Sequence, residues 1–126
     1  MTGARKGFTL IELLVVMSVI ATLLMIAVPR YFQHLDRARE AALHESLAVM
    51  RDAVDKYHGD TGRYPETLED LVTKRYLRKV PPDPITESTE TWVLVPPPDE
   101  PGQKKVWDIR SGAEGQGLNG SDYSSW

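Results

Sequence analysis

Apolar side chains are concentrated in one uninterrupted stretch near the start of the chain. Residues 8–28, 21 positions in all, contain a single charged side chain, that of Glu12. A helix rises about 1.5 Å per residue, so this stretch would extend roughly 30 Å, the thickness of the hydrocarbon core of a bilayer. The pattern predicts one membrane-spanning helix. It excludes a polytopic membrane protein, because the sequence has no second stretch of this kind.

The apolar pattern then changes and becomes that of an amphipathic helix. Apolar side chains recur at steps of mostly three and four, at Tyr31, Leu35, Ala38, Ala42, Leu43, Leu47, Met50, Val54 and Tyr57. A nearly continuous helix is predicted from about Phe8 to His58, ending at the glycine-containing turn 59–62. Pro29 lies between the two halves. Because proline removes a backbone hydrogen bond and disfavours helical geometry at the preceding residue, it predicts a kink or a locally melted turn, or else a simple boundary between membrane and aqueous halves.

The rest of the chain predicts a small domain, so the fold class is α+β. A turn at Tyr64 leads into a short helix that reaches about Arg75. Two β-rich runs, 91–95 and 105–109, are separated by a polar connection that contains prolines, which predicts a hairpin or small antiparallel sheet. The Gly- and Ser-rich segment 111–126 ends in aromatic residues, and we expect it to form an ordered loop packed on the domain.

Basic residues before the apolar stretch set its expected orientation. Arg5 and Lys6 precede it, so the positive-inside rule places the amino end in the cytoplasm and the remainder outside. No cleavage site of the A-x-A kind follows the stretch, so we expect it to be retained. Glu12 is costly in lipid; it is expected either to have a partner or to lie near the interface, where it snorkels or is protonated.

Composition removes several classes of function. The chain has 15 Lys and Arg against 18 Asp and Glu; without the three charges that precede residue 29, 13 and 17 remain, a net charge of about −4. This balance argues against nucleic-acid binding. The absence of cysteine excludes disulfides and Cys-based metal sites. The three histidines, His34, His44 and His58, do not form a zinc motif and are expected to be exposed. The sequence also contains no nucleophile elbow and no phosphate loop. We therefore expect that the protein is not an enzyme.

Residues 7–12 carry the most specific motif of the sequence. Gly-Phe-Thr-Leu-Ile-Glu follows a short basic leader and begins the apolar stretch, and it resembles the processing site of type IV pilins and type II secretion pseudopilins. The resemblance implies that a prepilin peptidase cleaves between Gly7 and Phe8 and methylates the new amino group of Phe8. It implies that Glu12 neutralises this ammonium on an adjacent subunit, which favours assembly in register. For Pro29 it implies a place where the helix stretches inside a filament.

Segments further along resemble the major, G-type pseudopilin of type II secretion. These segments are Gly62-Arg63-Tyr64-Pro65, Pro82-Asp83-Pro84, Ser111-Gly112-Ala113-Glu114-Gly115 and Tyr123-Ser124-Ser125-Trp126. The resemblance implies a cleaved leader (1–7), a hydrophobic transmembrane and filament-core helix (8–29), an amphipathic half of that helix (30–58) and a small globular domain (59–126). The implied function is that of a structural subunit, which polymerises through its amino-terminal helix into a pseudopilus for protein secretion across the outer membrane.

The resemblance also implies a location and partners. The subunit would be stored as a single-pass protein of the inner membrane with its carboxy-terminal domain in the periplasm, and the filament would lie in the periplasm or at the cell surface. Its partners would be further copies of the chain, the prepilin peptidase, an inner-membrane assembly platform with its ATPase, and minor pseudopilins. Two alternatives stay open: a type IV pilus subunit used in adhesion, motility or DNA uptake, and a single-pass anchored binding domain with an uncut leader.

The end of the chain departs from the family in the residues available for calcium. Major pseudopilins usually carry several acidic residues here that bind calcium, whereas this chain has only Glu114 and Asp122. The implied candidate ligands are Leu118 through its carbonyl oxygen, Asn119, Ser121 and Asp122. Calcium takes six to eight oxygens, so backbone groups or water would have to supply many of them. The competing interpretation is a glycine-rich loop held by Tyr123 and Trp126 without a metal.

Overall fold

The chain forms two units, Met1–Leu35 and Asp36–Trp126, and the computed structural model describes residues 7–126. The predicted leader, with Arg5 and Lys6, lies outside the described residues except for Gly7. The described part of the first unit is helical from Leu10 onward. The second unit contains the rest of that helix and the small domain.

One long helix, α1 (Leu10–Thr61), is continuous through both halves of the apolar pattern. The predicted melting at Pro29 is wrong: the neighbouring residues stay helical, because a single missing hydrogen bond is bridged by the intact bonds of the turns on either side. The helix also ends three residues later than predicted. Gly62, and not Gly59, has the positive φ of +71° that ends the helix, and the Gly62 amide donates to the His58 carbonyl over 2.8 Å.

The core of the small domain lies along one stripe of α1. The buried residues of the helix are Leu43, Leu47, Met50, Ala53 and Val54, and all but Ala53 belong to the apolar stripe predicted from the sequence. Earlier members of the stripe, such as Ala38 and Ala42, are exposed, so the packed part begins at Leu43. The side chains that pack against it come from the domain: Leu68, Leu71, Leu77, Trp92, Val106 and Ile109.

The second helix, α2 (Leu68–Thr73), is capped at both ends. Thr67 and Asp70 form a capping box, in which each side chain accepts a hydrogen bond from the other residue's backbone amide. The prediction that this helix reaches Arg75 is wrong, because Arg75 has a φ of +66°. The Tyr76 amide then donates to the carbonyl of Leu71 over 2.8 Å, the bond of a Schellman motif, in which glycine is the usual residue at the position of Arg75.

The predicted hairpin is confirmed, although its strands are shorter than expected. Strands β1 (Val93–Val95) and β2 (Asp108–Arg110) pair antiparallel, with Leu94 opposite Ile109. Three consecutive prolines follow β1 and cannot donate to a ladder, which ends the strand. On the other side, the Val106 amide donates to the Pro65 carbonyl over 2.7 Å and is not available to the hairpin.

Candidate assembly site and carboxy-terminal loop

The first turn of α1 places Glu12, one of the predicted assembly residues, in contact with Thr9. The Glu12 amide donates to Thr9 Oγ1 over 3.1 Å, and Glu12 Oε2 accepts from the Thr9 amide over 3.0 Å. This reciprocal pair is a capping box, which satisfies two backbone amides that a helix start otherwise leaves unpaired. Phe8 precedes the box and is 84% exposed.

The capping box gives Glu12 a role within its own subunit that the sequence analysis missed. The pattern Thr-x-x-Glu before an apolar run is the signal that could have revealed it. A carboxylate near the amino end of a helix also interacts favourably with the helix dipole. Glu12 is therefore held in place, as the single charge of residues 8–28, next to the amide that follows Phe8.

In the described part of the chain, the apolar half of α1 is not packed against other residues of the subunit. Within the most apolar 18-residue window of the helix no residue is buried, and by length and composition this helix could cross a membrane. The two hydroxyl groups of the span are satisfied internally: Ser18 donates to the Leu14 carbonyl and Thr22 to the Ser18 carbonyl, each over 2.8 Å. Its surface is thus apolar, with Glu12 as the exception.

Gly7 and Pro29 are positions where the fold alone does not explain the residue. A Cβ built on Gly7 has nothing within 4 Å, so the conformation of the described chain would accept a larger residue. Pro29 lies inside α1 and offers no N–H to the carbonyl of Met25, which is four residues earlier.

The candidate calcium ligands lie in the carboxy-terminal loop, defined here as residues 115–126. Asn119 Oδ1 accepts two hydrogen bonds, from the Ser121 amide over 3.0 Å and from Ser121 Oγ over 2.6 Å. The Trp126 indole donates to Ser121 Oγ over 2.7 Å. The Asp122 carbonyl accepts from the amide and the hydroxyl of Ser125. The side-chain oxygens of Asn119 and Ser121 and the main-chain oxygen of Asp122 therefore form the internal bonds of a tight turn.

This donor set does not fit a calcium site. Asp122 supplies the one carboxylate among the four candidate residues, and the oxygens of Asn119 and Ser121 would have to exchange their present bonds for a metal. Across residues 7–126, no group of three or more His, Asp or Glu side chains is placed to hold a metal ion. The arrangement favours the interpretation in which aromatic residues hold the loop.

Three residues of α1 hold this loop, and the sequence analysis assigned none of them a role. Glu40 accepts from the Leu118 amide over 2.7 Å, and Arg51 donates to the main-chain oxygen of Trp126. His44 is exposed, as predicted, and its ring stacks on that of Trp126 with 4.3 Å between centroids. The spacing of 40, 44 and 51 places the three on one helix face, which is the signal that could have found them.

Arg51 also ties the hairpin to α1. Its Nε donates to Asp108 Oδ1 over 2.8 Å, and its Nη2 donates to the Ile109 carbonyl over 2.9 Å. Asp108 Oδ1 additionally accepts from the Ile109 amide. The guanidinium therefore joins three segments of the domain through directed hydrogen bonds, a geometry that lysine would not reproduce.

Comparison with known proteins adds to this geometry. Residues 3–28 match the family model described as "Prokaryotic N-terminal methylation motif". Type II secretion system core protein G of Escherichia coli (strain K12) is 28% identical over 142 residues, which cover 99% of this chain and 93% of the relative. Proteins of the same name from Pectobacterium carotovorum subsp. carotovorum and Pseudomonas aeruginosa are each 30% identical over 97% of this chain, and the alignments cover 85% and 95% of those relatives. No solved structure matches the chain significantly.

Proposed function

The chain belongs to the family of type II secretion system core protein G, and from this membership we infer that it is a pilin-like subunit of a pseudopilus used in type II protein secretion. It is a structural subunit and not an enzyme. The main observation behind the inference is that the apolar half of α1 is exposed and that the prepilin methylation motif lies at its start.

The exposed apolar surface explains why this subunit assembles. Fifteen large apolar side chains from Phe8 to Val28 are 43–84% exposed. Burying one such side chain contributes about 1.5–3 kcal/mol, so contact of the whole span with water costs on the order of tens of kcal/mol. The span is therefore surrounded either by lipid or by the same spans of neighbouring subunits. Between these two environments, close helix packing and polar contacts decide, because lipid tails are as apolar as the helix.

Cleavage between Gly7 and Phe8 would create the polar contact that favours the filament. The new ammonium of Phe8 and the carboxylate of Glu12 are each costly in an apolar environment, and pairing between adjacent subunits offsets that cost. Within one subunit Glu12 accepts from the Thr9 amide, and in the filament an adjacent subunit would supply the ammonium. Assembly in one register follows, since only that register pairs every charge.

The finer assignments of place and partners rest on the family and on the apolar span. The chain is anchored in the inner membrane by α1, and we assign its carboxy-terminal domain to the periplasm. A prepilin peptidase would process it, and an inner-membrane platform with its ATPase would add it to a filament that minor pseudopilins complete. We also propose that the helix stretches at Pro29. The Met25 carbonyl has no N–H of residue 29 to accept from, so one hydrogen bond that would resist stretching is already missing there.

The test of charge pairing separates the two roles of Glu12. Glu12→Gln keeps the capping box, which accepts Gln at this position, and removes the charge. We expect the variant to stay in the membrane while the yield of sheared filaments falls at least about tenfold, since breaking a buried pair costs about 3–5 kcal/mol. Thr9→Ala is the matched control, because it removes the cap and keeps the charge. A Gln variant with the filament yield of wild type would contradict charge pairing.

The processing step has its own test at Gly7. Gly7→Val meets open space in this fold, so a loss of processing would reflect recognition by the peptidase and not misfolding. We expect mass spectrometry of the membrane-bound protein to find residues 1–7 still attached. A normally trimmed amino terminus would refute the assigned cleavage site.

A further inference from the structure

We propose that the carboxy-terminal loop is held on α1 by the carboxylate of Glu40, and that this attachment needs no calcium ion. The contacts involved lie within a single subunit, so the proposal does not depend on filament assembly. The resemblance to major pseudopilins implies a loop that binds calcium, whereas this proposal implies a loop whose attachment is the same with and without calcium.

Glu40 contacts the loop at two places with one oxygen. Its Oε1 accepts from the Leu118 amide over 2.7 Å and from the Tyr123 hydroxyl over 3.3 Å. These two donors lie on either side of the tight turn 119–122, so a single carboxylate oxygen closes the turn from both sides. A hydrogen bond to a charged acceptor is stronger than one between neutral groups.

Glycine at position 117 permits this close approach. A Cβ on Gly117 would lie 3.0 Å from Glu40 Oε1 and 2.4 Å from Cζ2 of Trp126. Neither the helix nor the stacked indole can move away without losing its own contacts. The backbone of the loop thus comes against α1 at a point where only glycine fits.

Trp126 provides a second attachment further along the same helix face. Its ring stacks on His44 with an interplanar angle of 7°, and its main-chain oxygen accepts from Arg51. Its indole N–H donates to Ser121 Oγ, so the attachment reaches back into the turn. Tyr123 packs edge-on against Trp126, with 5.1 Å between ring centroids. The loop is therefore fixed at its start, middle and end by α1 residues.

The electrostatics of Tyr123 agree with this geometry. Burial, followed by the negative charge of Glu40 and the hydrogen bond to it, raises the pKa of the Tyr123 hydroxyl above its ordinary value. The hydroxyl is therefore a proton donor throughout the physiological range of pH. Replacing Glu40 should return this pKa toward the value of a free tyrosine.

The experiment measures hydrogen exchange of the Leu118 amide by NMR in the full-length chain in detergent micelles. We expect the exchange rate to be equal in millimolar calcium chloride and in EGTA. Glu40→Ala should accelerate it about 10- to 100-fold in both solutions, the range for losing a hydrogen bond to a charged group. Glu45→Ala is the matched control, because it removes an exposed carboxylate from the same helix and should leave the rate unchanged.

Each outcome decides the proposal. The amide of Met50, in the buried core, must stay protected from exchange in Glu40→Ala, which shows that the domain is still folded. If it does not stay protected, Leu118 exchange is measured instead in Glu40→Gln, which is a smaller change. Slower Leu118 exchange or a higher unfolding temperature of wild type in calcium would overturn the claim of metal independence, most clearly if Asp122→Asn abolished the effect. A Leu118 rate in Glu40→Ala equal to that of wild type would overturn the role of Glu40.

Discussion

Asp83 is a fully buried carboxylate whose removal should destabilise the domain strongly. Its Oδ1 accepts from the amides of Ile85 over 2.8 Å and Thr86 over 3.4 Å, and its Oδ2 accepts from the Ser111 hydroxyl over 2.5 Å. Ser111 is itself buried, and its Oγ accepts from the Ala113 amide over 3.1 Å. One side chain thus joins the proline-rich loop to the segment that follows β2.

The expected cost follows from the donors that Asp83→Ala leaves unpaired. Two amides and one hydroxyl lose their acceptor, and a buried unsatisfied group costs about 1–3 kcal/mol. Part of the loss is offset, because the variant no longer keeps a charge out of water. We therefore expect a decrease of about 3–4 kcal/mol in the free energy of unfolding, or roughly 10–30 °C in the unfolding temperature of a domain of this size.

The assay is thermal and urea unfolding of the full-length chain in detergent, followed by tryptophan fluorescence. All three tryptophans lie in the second unit, so the signal reports the domain and not the apolar span. A double-mutant cycle with Ser111→Ala should give a coupling of at least about 1 kcal/mol, because the two side chains share a hydrogen bond. Additive losses, or a loss below about 1 kcal/mol for Asp83→Ala, would refute the assignment of Asp83 as the connection between the two segments.

Three further changes test other parts of the fold. Arg75→Gly should raise the free energy of unfolding by up to about 1 kcal/mol, since a φ of +66° suits glycine; a lower stability in urea would mean that Arg75 makes a compensating contact. Gly112→Ala should cost about 1–3 kcal/mol, because its Cβ would lie 2.0 Å from the Thr91 carbonyl oxygen, whereas Gly102→Ala meets open space and should be near neutral. Equal unfolding temperatures for these two variants would count against that contact. The raised pKa of Tyr123 means that the folded state holds this proton more tightly, so its stabilising effect is complete below about pH 10 and is lost as the pH rises above the unfolded value. Tyr123→Phe should weaken that alkaline loss in a pH series of unfolding, and an unchanged series would refute the link.

Much of this protein could be predicted from local patterns. The apolar stretch, the periodic stripe from Leu43 to Val54, and the hairpin follow from hydrophobic period and turn chemistry, which act between residues close in sequence. Their exact limits could not be predicted. The end of α1 depends on which glycine takes a positive φ, and the length of β2 depends on the Pro65 carbonyl, which binds Val106 from a distant part of the chain.

The assembly residues stay a prediction, and the sequence analysis did not foresee the local geometry of Glu12. Phe8 and Glu12 belong to a contiguous motif, and resemblance alone was enough to select them. Glu12 also caps its own helix through its contact with Thr9. The sequence contains the Thr-x-x-Glu pattern of this cap, but the contact itself was seen only in the structure.

By itself the sequence determined that this chain has one apolar helix able to span a membrane, a motif for amino-terminal processing and a small α+β domain. These are properties of neighbouring residues and of their period. Only the tertiary structure decided that Glu40, His44 and Arg51 hold a loop more than 60 residues away, through contacts such as that of Glu40 with Leu118, which are separated by 78 positions. The physical reason is that such contacts depend on how the chain returns to α1, and no local pattern encodes that return.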